Sequence, residues 1–173
     1  MRDFIYQLMT DYPTTIIFVH VFSAMVWEGG MIALWFIGYK TSKELAVQDR
    51  YADRVAVVKK YFLFLTPFII ILFVTAIFFA LGYKDNAYDF DGFVLDMNNA
   101  DMYKLINANG SVFAVMVLNM FLILYTLTRT GTDRYKGNRA ADSIWLVNTF
   151  LLPLNIFLGA VGTYMGAFLR NLY

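Results

Sequence analysis

Of 173 residues, 60% are hydrophobic, 18% aromatic and only 16% charged, a composition far from that of a soluble domain of this length, so lipid is the expected solvent. A net charge of +1 and the lack of any cysteine exclude a strongly basic nucleic-acid-binding domain, disulfides, thiolate metal sites and covalent c-type haem attachment. The sequence also holds no glycine-rich phosphate loop, no HExxH zinc motif and no cysteine nucleophile.

In chain order, Arg2 to Met9 reads as a short interfacial helix with Phe4, Ile5 and Leu8 on one side, ended by Asp11, Tyr12 and Pro13. Four apolar runs follow, at about 14–39, 61–83, 105–128 and 143–169, each long enough for the roughly 20 residues that a bilayer core of ~30 Å requires. The expected fold is all-α: a polytopic membrane four-helix bundle forming a single domain over 1–173. The first run exceeds the apolar core of a cleaved signal, follows both signs of charge (Arg2, Asp3, Asp11) and lacks a small-x-small cleavage site, so it is expected to stay in the mature protein.

The second run carries Pro67 in its first turns and the fourth carries Pro153, where a missing N–H and a steric clash predict kinks. Thr66 and Asn148 are polar neighbours placed to recover the freed backbone groups. Asn109, Ser111 and Asn119 interrupt the third run and are expected to bond across helices. In the fourth, Asn155, Gly159, Gly162 and Gly166 recur at steps of four, three and four, one stripe that calls for close helix packing, within the chain or through a homodimer. Between the second and third runs, Asp89-Phe90-Asp91-Gly92 and Asp96-Met97-Asn98-Asn99 are set to fold over one membrane face, without the acceptor spacing of an EF-hand. Trp35, Tyr39, Tyr83 and Trp145 stand near run ends, as interfacial aromatics do.

Charge sets the orientation. The first and third connections carry Lys40, Lys43, Arg50, Arg54, Lys59, Lys60, Arg129, Arg134, Lys136 and Arg139, against Lys84 and Lys104 in the second. Ten against two makes the first and third cytoplasmic, with both termini outside. A multi-pass protein of a bacterial inner membrane is expected.

The first run holds the only histidine, His20, and a carboxylate, Glu28; ionisable groups at membrane depth are costly and mark function or a specific partner. His20, Ser23, Ala24, Trp27 and Met31 share one helical face, and Glu28 lies about 80° round and about 12 Å deeper than His20. Trp27 is the one tryptophan at depth. Gly29-Gly30 removes side chains beside Glu28, which admits a neighbouring helix or a flat ligand. His20 reads either as a metal ligand, axial to haem iron, or as a histidine bonded to Asn or Ser of another span. Glu28 reads either as a proton carrier or as a carboxyl bonded to Asn or Tyr. Met25, Met116, Met120 and Met165 are too scattered for a copper ladder.

His20-x6-Trp27-x-Gly29-Gly30 in the first span of a small four-helix membrane protein resembles the opening of the CopD/HemJ-like group, which includes copper-resistance D proteins and the HemJ type of protoporphyrinogen oxidase. The resemblance extends loosely over all four spans, with Arg139, Asn148 and the glycine stripe echoing the group. It implies haem b bound through His20, with Trp27 and Gly30 shaping the pocket, and a porphyrin or quinone as reaction partner. The chain departs from the group at Ile106-Asn107-Ala108-Asn109, where a HemJ-like lysine would stand, so the ligand role carries over and the catalytic chemistry does not.

Two functions follow. One is a haem-associated redox membrane protein, an oxidoreductase with His20 as ligand and Glu28 managing protons. The other is a non-redox protein that handles copper or another cation, or an accessory subunit, in which His20 and Glu28 are interhelical contacts or a cation path.

Overall fold

In lipid each backbone N–H and C=O must be satisfied within its own segment, which an isolated apolar run achieves only as a helix, and helices are what form. The computed structural model describes residues 2–44, 47–89, 91–130 and 138–170. The elements are α1 (Arg2–Asp11), α2 (Pro13–Glu44), α3 (Val47–Ala87), α4 (Met97–Thr130), α5 (Asn138–Leu146), a π-helical segment (Val147–Leu151) and α6 (Leu152–Arg170). Four stretches are long and apolar enough to cross a membrane, Pro13–Ile37, Arg54–Ala87, Met97–Arg129 and Asp142–Phe168. The protein is a multi-pass membrane protein built as an all-α bundle.

The four long helices form a ring. α2 packs on α3 and α6, and α4 packs on the same two, so α2 faces α4 across one diagonal while α1 lies against α2 and α3. Trp27, Met31, Leu65, Ile123, Leu127 and Leu152 fill the centre, whereas Phe18, Met25, Leu63, Phe73, Leu118 and Phe157 point outward. Outward aromatic and aliphatic side chains are a liability in water and match a hydrocarbon solvent.

Several boundaries differ from the sequence reading. α3 runs past Tyr83 to Ala87 and α4 begins at Met97, so the acidic connection is shorter than expected. It is a compact turn rather than a cover. Tyr88 bridges Val94, Gly92 takes φ +87°, and Leu95 N–H reaches Ala87 O at 2.8 Å. Asp89 Oδ1 accepts from Phe93 N–H at 2.7 Å within the turn, and Asp96 caps α4, its Oδ1 accepting from Asn98 N–H at 2.8 Å. At the N-terminus Tyr12 is the single non-helical residue between α1 and α2, and Pro13 opens α2 where its missing N–H costs nothing.

The two prolines behave differently. α3 continues unbroken through Pro67, and the Thr66 hydroxyl donates to Phe62 O at 3.0 Å, which is not the Leu63 carbonyl that Pro67 frees. Around Pro153 the helix widens instead. Leu152 N–H bonds Val147 O, five residues back, and Pro153 has no N–H to offer, so the Asn148 carbonyl loses both its α and its π donor. The Trp35 indole N–H from α2 supplies the missing donor at 3.0 Å, and the Asn148 side-chain oxygen accepts from Arg54 of α3. Trp35, near the end of the first span, therefore also makes an interhelical bond. The side chains of Tyr39, Lys40, Lys43, Arg50, Arg134, Lys136 and Arg139 lie outside the described residues.

Candidate functional site

The buried stripe of α2 is Ile16, Ser23, Trp27, Met31 and Leu34, at the spacing of one helical face. Glu28 flanks that stripe and is directed at α6. Its carboxyl occupies the space a side chain would take at Gly159: a Cβ built there would lie 1.7 Å from Oε2 and 2.3 Å from Cδ. Glu28 makes no hydrogen bond or ion pair among the described residues. Gly30, two residues on and so about 200° round the helix, faces α3, where Tyr61 fills its space; the Tyr61 hydroxyl also donates to Trp27 O at 3.2 Å.

The stripe of small residues on α6 receives polar side chains from its neighbours within the same chain. Asn119 Nδ2 of α4 donates to Asn155 Oδ1 at 2.9 Å and to Leu151 O at 2.7 Å, and Asn155 Nδ2 donates to Met116 O at 3.3 Å. One turn further along α6 Gly159 seats Glu28, and beyond it Gly162 seats Asn109 of α4, whose Oδ1 would stand 3.0 Å from an added Cβ. Gly166 has nothing against it within 4 Å. Small residues here admit polar groups into the seam where three helices meet. Asn109 itself makes no hydrogen bond among the described residues.

Across the diagonal Trp27 meets Phe113 of α4 edge-on, ring centroids 5.3 Å apart. Trp27 is 2% exposed and Ser23 only 1%, yet Trp27 Nε1 and Ser23 Oγ have no partner. A buried polar group left unpaired costs about 1–3 kcal/mol, and native structures rarely carry two on one face without something to satisfy them.

His20 is held differently. Its Nδ1 lies 2.7 Å from Thr75 Oγ1 of α3, and its ring meets Phe79 edge-on at 5.4 Å. The Thr75 hydroxyl also lies 2.7 Å from Ile71 O and 3.1 Å from Leu72 O. A hydroxyl has one proton: with it on Ile71 O, Nδ1–H donates to Thr75 and Nε2 keeps its lone pair; with it on Nδ1, Nε2 carries the hydrogen. The first of these is the tautomer a ligating histidine needs. The partner is a threonine, where the sequence had suggested Asn or Ser.

Four residues were singled out on α2, and the structure distributes them over three neighbours: His20 and Gly30 against α3, Trp27 against α4, Glu28 against α6. Of the two occupants expected beside Gly29-Gly30, a neighbouring helix or a flat ligand, α3 supplies the first at Gly30, where the Tyr61 ring fills the space. Trp27 is covered by the Phe113 ring. No group of three or more His, Cys, Asp or Glu side chains converges among the described residues. Sequence reasoning missed Arg54, treated there only as a topology charge, and Tyr61; Arg54 has its Nε buried and unpartnered beside Asn148. Comparison with protein-family models, with curated proteins and with solved structures finds no significant match.

Proposed function

We propose that this chain is a non-redox, cation-handling protein of a bacterial inner membrane, in which Glu28 takes up and releases a proton in the course of transport. One observation carries the reading: a carboxyl group in the second half of the first span, seated on the bare backbone of Gly159 and bonded to nothing among the described residues. A carboxyl that only glued helices together would be hydrogen-bonded, as Asn119 and Asn155 are. An unbonded one is free to exchange its proton, and intramembrane carboxyls of this kind mark proton and ion pathways. The test is proton entry into vesicles reconstituted with the protein, followed by a trapped pH dye under an imposed potassium-diffusion potential. Wild type is expected to acidify the lumen, and Glu28→Gln to fall to the rate of protein-free vesicles. Equal rates for the two proteins would remove the reading.

A second reading keeps the CopD/HemJ resemblance and rests on His20 Nε2, an acceptor in the tautomer whose Nδ1–H donates to Thr75. Copper or haem iron would be held there by a group outside the bundle core, such as a second copy of the chain, because Trp27 and Gly30 are committed to Phe113 and Tyr61. An oxidised-minus-reduced absorbance spectrum with metal analysis separates the two readings. The cation-handling reading predicts a folded, colourless protein. A Soret band that disappears in His20→Ala would favour the redox one.

A further inference from the structure

We infer that Ser23, Trp27 and Asn109 line a water-holding cradle in the outer half of the bundle, through which Glu28 exchanges protons with the external face; the inference rests on the cation-handling reading and deepens it. The contacts form a closed circuit. Trp27 of α2 touches Phe113 of α4. Asn109, one turn before Phe113, rests on Gly162 of α6, and Gly159, one turn from Gly162, seats Glu28, the residue next to Trp27. Three helices thus meet round one space at adjacent levels.

The groups around that space are polar and unsatisfied. Ser23 Oγ and Trp27 Nε1 are buried without partners, and Asn109 and Glu28 make no hydrogen bond among the described residues. Long side chains on a helix lean toward its N-terminus, so the Trp27 indole lies over the turn that holds Ser23, and Phe113 over the turn that holds Asn109. Both α2 and α4 run inward from the outer face in the orientation set by charge. Ser23 and Asn109 therefore both lie about 6 Å, one helical turn of ~1.5 Å per residue, outward of the Trp27–Phe113 contact. Further outward on α6, Gly166 leaves open space.

The chemistry of the four groups selects water over a metal ion. Indole N–H is a donor only and requires an acceptor; a bound cation would leave it unsatisfied and repel it. Water accepts from Trp27, exchanges bonds with Ser23 and Asn109, and donates to or accepts from the Glu28 carboxyl. Together the four groups supply the two to four polar partners that a buried water needs. A chain of such waters moves a proton by passing it from one oxygen to the next, with the carboxyl as its inner terminus.

The test reads water at Trp27 directly. In detergent-solubilised full-length protein labelled with nitrogen-15 at tryptophan, the Trp27 indole signal, assigned by its loss in Trp27→Phe, is expected to show magnetisation transfer from water. Ser23→Val combined with Asn109→Leu fills the cradle with apolar groups. This variant is expected to abolish that transfer and to slow proton entry into vesicles at least about tenfold, with helix content by circular dichroism unchanged. Single Ser23→Ala and Asn109→Ala variants, which leave room for water, should retain the transfer, and they serve if the double variant fails to fold. A Trp27 indole silent to water in the wild type overturns the cradle whatever Glu28 does. Water transfer that is present while the filled variant conducts as fast as wild type overturns the path and leaves the Glu28 reading standing. Loss of effect in Glu28→Gln sinks the reading while the indole measurement still decides whether water is there.

Discussion

Gly30→Ala lowers the stability of the bundle by about 1–3 kcal/mol, the range for forcing a methyl group into filled space. A Cβ at Gly30 would stand 1.5 Å from the Tyr61 hydroxyl oxygen, 2.3 Å from Cζ and 2.5 Å from Cε2. The obstacle is the end of an aromatic ring, which cannot fold aside as an aliphatic chain can. Relief requires α2 and α3 to separate, or Tyr61 to change rotamer and give up its bond to Trp27 O. Double variants identify the cause. Tyr61→Phe removes the oxygen but leaves both ring carbons in the way, so it suppresses little of the loss; Tyr61→Leu removes the ring end and suppresses most of it. The measurement is the thermal or denaturant midpoint in one detergent for the four proteins. Gly29→Ala is the control, since nothing lies within 4 Å of that position, and its midpoint should stay at or slightly above wild type, as alanine favours helix over glycine. A Gly30→Ala midpoint that matches Gly29→Ala, at or above wild type, would show that contact with Tyr61 does not govern this stretch.

The contrast between the two glycines shows where sequence stops being informative. Periodicity assigns a residue to a face of its own helix; it does not say which helix covers that face. The four spans were legible because apolar length and bilayer thickness leave one solution. Glu28 was legible because a carboxylate stands out in an apolar run. The α6 stripe was legible as a place of close approach, and Asn155, Gly159 and Gly162 do make close approaches within the chain. That Glu28 is what Gly159 receives, and that Tyr61 is what Gly30 receives, depends on rotations and offsets between helices that no single helix encodes. Pro153 announced a disturbance, yet its form, a π-helical segment whose orphaned carbonyl is met by Trp35, depends on a donor 113 residues away in the chain. Arg54 was hidden for a different reason. It sits among charges that orientation alone explains, and only its bond to Asn148 sets it apart.

Gly159→Ala is expected to stop proton entry nearly as completely as removing the carboxyl, while leaving the bundle about as stable as wild type. The added Cβ would overlap Glu28 Oε2 at 1.7 Å, but here the obstacle is the tip of a flexible side chain, which a change of rotamer carries away from α6. The fold loses little, because Glu28 makes no hydrogen bond or ion pair among the described residues that would have to be broken, and the alanine gains helix propensity over glycine. The carboxyl, however, no longer stands beside the space bounded by Trp27, Phe113 and Asn109. Displacing a reacting group by about 1 Å can cost about a hundredfold in rate, so lumenal acidification should slow by about that factor at an unchanged midpoint. Glu28→Asp offers the complementary displacement, since the shorter arm keeps the acid but withdraws it from Gly159 toward α2, and it too should conduct poorly. Combining Gly159→Ala with Glu28→Asp places a shorter acid beside a fuller backbone. Rates restored part of the way toward wild type in that pair would locate the function in the fit between the carboxyl and its seat, whereas independent losses would place it elsewhere on Glu28.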